Sequence, residues 1–182
     1  MGGMAQAVMI AMAAATMGAM PVAAPVASPL SSDAYSEEPS PLEQRVLAAH
    51  NRARQSQGIP PLRWDPALAA GAERWAASLA RRGAFEHSDS GGAFGENLWA
   101  GTPGAYTPEY MVGRWVEEKR LFRAGHFPNN SATGNWLQVG HYTQLMWRAT
   151  TAVGCALVKG ARSDVLVCRY APAGNVIGEV PF

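Results

Sequence analysis

Apolar side chains recur at helical spacing in three separate stretches, and the C-terminal part changes to strand-like runs. The first stretch opens at Ser40-Pro41-Leu42-Glu43. Ser40 can cap, Pro41 suits the first helical position, and Glu43 completes a capping box. Leu42, Val46, Ala49 and Ala53 then share one face, and the helix should end near Gly58, before Pro60-Pro61. Asp65-Pro66 repeats the start signal, with Leu68, Ala72, Trp75, Ala76 and Leu79 as the buried stripe and Gly83 as the stop. Thr107-Pro108-Glu109 opens a third helix whose stripe is Met111, Trp115, Glu118 and Phe122. That stripe sets one carboxylate on an apolar face. A short fourth helix is predicted from His141 to Trp147.

Residues 153–158 and 165–170 read as two strands joined by a turn over 160–163. A hairpin centred between Ala161 and Arg162 sets Cys155 directly opposite Cys168. Opposed residues of an antiparallel pair lie about 4.5–5.5 Å apart at Cα, which disulfide geometry accepts. No CxxC motif is present, so a structural disulfide is the reading. Helices followed by a hairpin imply an α+β domain, with helices covering a small, largely antiparallel sheet.

The N-terminal part changes the picture of where this domain works. Residues 1–32 contain no charged side chain, and 5–20 are almost entirely Ala, Met, Val and Ile. Small residues broken by prolines follow. This order predicts a signal peptide over 1–28, although its first residues lack Lys and Arg and its cleavage position is not marked. Pro21 and Pro25 count against an uncleaved membrane anchor, so the mature form is not expected to span a membrane. Residues 29–40, rich in Ser, Pro and acid, read as a flexible linker to a domain over 41–182. The implied location is extracellular, or periplasmic in a bacterium, which suits a disulfide. A net charge of only +1, without a basic run, excludes nucleic acid as the expected partner.

Candidate chemistry is sparse. There is no HExxH, GxSxG, GxxxxGK[ST] or GxGxxG pattern, and no nucleophile stands out. His50 lies near the apolar face of the first helix and reads as a packing residue, and His126 as an exposed loop residue. His87 sits in a polar turn and His141 at a helix start. Glu96, among Phe94, Leu98 and Trp99, and Glu118 are acids in apolar company that need partners.

The segment Gly140-His141-Tyr142-Thr143-Gln144-Leu145-Met146-Trp147 closely resembles the first signature of the CAP family, the cysteine-rich secretory, antigen 5 and pathogenesis-related-1 proteins. Residues 170–178, Tyr-Ala-Pro-Ala-Gly-Asn-Val-Ile-Gly, resemble the second. Supporting segments are His50-Asn51-Arg52-Ala53-Arg54, Pro61-Leu62-Arg63-Trp64-Asp65, His87-Ser88, Gly95-Glu96-Asn97-Leu98 and Trp115-Val116-Glu117-Glu118-Lys119. The pattern is most similar to the pathogenesis-related-1 branch and covers about 41–182 as a CAP (SCP) domain.

The resemblance implies a three-layer α-β-α sandwich. It also implies a central cleft carrying the tetrad His87, Glu96, Glu118 and His141, which in some relatives binds zinc or a similar divalent ion. The implied function is a secreted, non-catalytic binding module for a lipid or sterol, a cell surface or a host partner. The alternative is a metal-dependent hydrolase in which the same tetrad is catalytic. Arg148 departs from the signature and is expected to place a cation near the cleft rim. No cysteine-rich segment follows the second signature, so the ion-channel regulation of extended relatives is not expected.

Overall fold

The computed structural model describes residues 40–182; the expected leader, and the linker apart from Ser40, lie outside the described residues. Helix α1 (Pro41–Gln55) begins at its capping residue, with the Glu43 amide donating to Ser40 Oγ at 3.2 Å. Helix α2 (Pro66–Arg82) begins at Asp65, whose carboxylate takes the Ala67 and Leu68 amides at 2.8 and 3.0 Å. Gly83, at φ 64°, closes it by donating its amide to Leu79 O. Helix α3 (Pro108–Glu117) is capped by Thr107, and α4 spans Gly140–Met146. The starts of α1, α2 and α3 are local devices that satisfy the free amides of a first turn.

Four strands form one sheet: β1 (Arg63–Trp64), β2 (Gly95–Gly101), β3 (Ala152–Val158) and β4 (Asp164–Ala171), in the order β1-β3-β4-β2. Among the described residues only the β1–β3 pair is parallel. Cys155 faces Cys168 in the β3–β4 register, 4.1 Å apart at Cα, and the two form a disulfide.

The strand alternation divides the core. Val153, Cys155, Leu166, Cys168 and Tyr170 pack with Val46 of α1, Met111 and Trp115 of α3, and Tyr142 and Leu145 of α4. Ala156, Val165 and Val167 turn the other way and pack with Ala72, Ala76 and Leu79 of α2. The result is the expected three-layer α-β-α sandwich. Gly154 makes the α2 layer possible, because a Cβ there would lie 2.2 Å from the Ala69 nitrogen and 2.5 Å from Asp65 O. The start of α2 therefore rests directly on the β3 backbone.

Two features differ from the expectation. Strands β1 and β2 were not apparent from the apolar pattern. The third helix also stops at Glu117 instead of running to Phe122: Glu118–Leu121 form a 3-10 turn, and Phe122 is extended at φ −72°, ψ 139°. The Phe122 ring packs at 5.4 Å from Tyr142 and 5.2 Å from Phe182. The tightened turn swings Glu118 onto the start of α4. No helix among the described residues is long and apolar enough to cross a membrane.

Candidate functional site

Strand β2 carries Glu96 opposite Arg169 of β4. Only 6% of the Glu96 side chain is exposed, and its oxygens are fully engaged. Oε1 accepts the Ser88 amide at 2.9 Å and faces His87 Nδ1 at 3.1 Å. Oε2 accepts Ser88 Oγ at 2.7 Å and Arg169 Nε at 3.3 Å. Burial alone would raise the Glu96 pKa, but the hydrogen bonds from His87 and Ser88 and the Arg169 charge outweigh it and hold the carboxyl below its usual range. Arg169 is itself fixed, with its guanidinium carbon 4.1 Å from the centre of the Phe94 ring.

The second pair is built by the 3-10 turn after α3 and the start of α4. Glu118 Oε1 meets His141 Nδ1 at 2.6 Å, and Oε2 accepts the amides of His141 and Tyr142, both at 3.0 Å. In each pair a carboxylate, which accepts only, faces Nδ1, so Nδ1 carries a proton and Nε2 is the nitrogen that offers a lone pair in the neutral ring. His87 and His141 line one hollow of about 150 Å³, together with Glu96, Asn97, Trp136 and Asn175. His141 also lines a second hollow of about 430 Å³, with Glu118, Phe85, Trp99 and Arg120. The tetrad thus meets as two His–Glu pairs, with His141 as the wall between two hollows.

Beneath the site runs a buried hydrogen-bonded chain. Asn97 Nδ2 donates to His141 O at 3.0 Å and lies 3.2 Å from the Tyr170 hydroxyl. His50 Nδ1 donates to Val46 O at 2.8 Å, which leaves Nε2 to accept the Tyr170 hydroxyl at 2.9 Å. Burial pushes the His50 pKa down to about 4 and raises that of Tyr170. His50 also converges with Cys155 and Cys168, the one group of three candidate metal ligands within 4.8 Å of each other among the described residues. The disulfide removes both thiolates and both imidazole nitrogens are engaged, so these three residues do not make a metal centre. His50 packs, as its sequence position indicated.

The profile of the cysteine-rich secretory protein (CAP) family matches residues 47–170, which is most of the domain. This chain belongs to the CAP family. It is 41% identical over 141 residues to pathogenesis-related protein 1B of Nicotiana tabacum, covering 77% of this chain and 80% of that one. It is 38% identical over 152 residues to pathogenesis-related protein PRMS of Zea mays, covering 82% and 86%. Among solved structures, NaASP2, described with Zn2+, matches at TM-score 0.62 and 23% identity over 81% of this chain and 88% of that one. BmVAL-1 matches at TM-score 0.65 and 21% identity over 79% and 82%.

In this CAP domain the two signatures and the Gly-Glu-Asn segment lock together. The Gly174 amide donates to Gln144 Oε1 at 2.9 Å, and Asn175, at φ 57°, donates to Gly140 O at 2.9 Å and accepts Thr143 Oγ1 at 2.6 Å. Gly95 is a glycine for a steric reason: a Cβ there would lie 1.9 Å from Gln144 Oε1. The carboxamide of the first CAP signature thus fills the space beside the residue preceding Glu96.

Arg148 does not reach the cleft rim. Helix α4 ends at Met146, Trp147 turns the chain at φ −58°, ψ 115°, and Arg148 lines a separate hollow of about 700 Å³ beside Arg52 and Ile59. His126 is exposed, as anticipated, with Nδ1 donating to Gly178 O at 2.7 Å.

Sequence reasoning missed two arginines. Arg169 follows Val165 and Val167 on the row of β4 facing α2, so strict alternation would have marked it as an inward cation. Arg54 lies four residues after His50 and is fully buried. It donates to the carbonyls of Pro60, Leu145, Trp147 and Thr150 at 2.8–3.0 Å and so caps the end of α4.

Proposed function

We propose that this protein is an exported CAP-domain binding module whose central hollow holds a divalent ion such as zinc through His87 and His141. The observation that carries this reading is the pairing of each Nδ1 with a carboxylate while both rings line one hollow. Carboxylate–imidazole pairs orient metal-ligating histidines and fix the tautomer that offers Nε2. Glu96 and Glu118 complete the tetrad behind the rings. The donor set suits zinc, because two imidazoles leave coordination positions for water or a bound ligand. That the related fold of NaASP2 is described with Zn2+ supports the same reading.

Binding is favoured over hydrolysis by the state of Glu96. Its carboxylate already accepts two Ser88 donors, His87 and Arg169, which leaves little capacity to take a proton from water. A lipid or sterol ligand is supported by the mostly apolar hollow of about 700 Å³ beside α1, lined by Ala48, Ile59, Pro60 and Pro61. A cell-surface or host partner belongs to the same proposal, as does export by the leader. The disulfide is consistent with an oxidising compartment.

Calorimetric titration of zinc into the mature domain, beside His87→Ala/His141→Ala, tests the reading. Saturable binding that is lost in the double variant and weakened by acid is the expected result. Absence of heat and of thermal stabilisation by zinc in the wild type would overturn it. Zinc-dependent peptide cleavage lost in the same variant would move the assignment to the hydrolase.

A further inference from the structure

At the far end of the sheet from the tetrad, two segments distant in sequence bring four cations together. Arg81 and Arg82 end α2, Lys159 and Arg162 occupy the tip of the β3–β4 hairpin, and all four line one hollow of about 510 Å³. No acidic side chain among the described residues lines it, and its apolar walls include Ala77, Ala80 and Val158. Arg82 has a partner, Glu86 at 2.7 Å, and lies over the Trp75 ring at 5.4 Å. Arg81, Lys159 and Arg162 have no ion-pair or hydrogen-bond partner among the described residues.

Helix polarity accounts for the cations at the end of α2 and for Arg162, whose Nη1 lies beside Gly83 at the C-terminus of that helix, but not for Lys159. Glu86 neutralises Arg82 only; Arg81, Lys159 and Arg162 keep their charges side by side, and their mutual repulsion is a cost that an anion would relieve. The scaffold beneath them is fixed. Ala80 and Val158 pack into the α2-side core, and the Cys155–Cys168 bond staples the hairpin below its tip. Along β2, the register runs from Glu96↔Arg169 to Gly101↔Asp164, about 17 Å at roughly 3.4 Å per residue, and the hairpin tip lies at the Gly101 end of that run, away from Glu96.

We propose that this hollow is an anion site for a compact organic phosphate carrying several negative charges, either free or as a lipid headgroup. Guanidinium groups from two sides match phosphate oxygens in paired geometry, and the lysine adds a point charge. The alanine and valine walls suit a small carbon skeleton. No large apolar side chain lines the hollow, so recognition is of the charged group and not by insertion into a bilayer.

The test uses the mature protein, with tripolyphosphate as the soluble probe and vesicles of phosphatidylcholine containing phosphatidic acid as the headgroup probe. Lys159→Glu/Arg162→Glu is compared with Arg63→Glu/Arg123→Glu, an equal charge change outside the hollow, after both are confirmed folded by circular dichroism. The expected result is saturable binding that weakens as salt rises, falling at least about tenfold in the hollow variant and little in the control. Binding of tripolyphosphate alone assigns a free ester, and binding of the vesicles assigns a headgroup. No binding of either probe, or equal loss in both double variants, overturns the proposal. His87→Ala/His141→Ala keeps this binding, which separates it from the metal reading.

Discussion

Glu118 holds His141 at two points: one carboxylate oxygen meets the ring at Nδ1, 2.6 Å away, and the other accepts the residue's own amide at 3.0 Å. Residue Val139, which precedes α4, offers no side-chain cap, so Glu118 serves as the missing cap while it orients the ring. Helix start and site geometry therefore rest on one side chain. Glu118→Ala should cost about 1–2 kcal/mol in urea unfolding. It should also weaken zinc binding roughly 10–100-fold by calorimetry. Glu118→Gln should keep more of the stability than of the affinity, because a carboxamide oxygen can still accept both amides while its NH2 group cannot accept from His141 Nδ1.

Arg54 should be the costliest single loss in the core. Its guanidinium is buried and, among the described residues, is satisfied by four carbonyl oxygens and by no carboxylate. Burial lowers its pKa to about 10, still well above neutrality, so it stays charged. Arg54→Ala leaves the end of α4 without donors and should lower unfolding free energy by on the order of 3–4 kcal/mol. Arg54→Lys, whose single ammonium cannot span four acceptors, should restore only part of that.

Stability should fall in mild acid because of His50. Its folded pKa, near 4, lies below the ordinary value of 6.5, so the unfolded chain takes up the proton first. The stabilisation is full above about pH 6.5 and is lost between there and pH 4, by about 3 kcal/mol at roughly 1.4 kcal/mol per unit. Glu96 acts in a lower window: with its pKa depressed, its contribution holds above the usual carboxyl value of 4.5 and is lost below it. Unfolding free energies measured from pH 4 to 7 should therefore slope in the wild type and flatten in His50→Gln. An equal slope in both would show that another group controls the acid response.

Reduction should destabilise without rearranging the sheet. The Cys155–Cys168 bond closes a loop with a sequence separation of 13, for which chain entropy gives roughly 3 kcal/mol. Cys155→Ser/Cys168→Ser should lower the melting temperature while far-ultraviolet circular dichroism of the folded state stays close to the wild type. The β3–β4 backbone pairing does not depend on the bond.

What could be read from neighbouring residues alone is local. The starts of α1, α2 and α3 were legible because Ser40, Asp65 and Thr107 bond amides two or three residues away. The hairpin and its disulfide were legible because turn length sets the register between adjacent strands. The family signatures singled out the tetrad residues, and the apolar stripe of α3 made Glu118 conspicuous. Tertiary structure alone decided the rest. Strand β2 exists because β4 offers a free edge, since Gly-Glu-Asn-Leu carries almost no apolar alternation of its own. Arg169 and Arg54 are buried because partners from other segments satisfy them. Arg148 left the cleft because the chain turns at Trp147, and the cations of the far hollow met because the hairpin tip folds against α2. Side-chain caps and turns act over a few bonds and can be read from neighbouring residues. Strand edges, buried charges and hollows depend on groups from distant segments, and packing selects them.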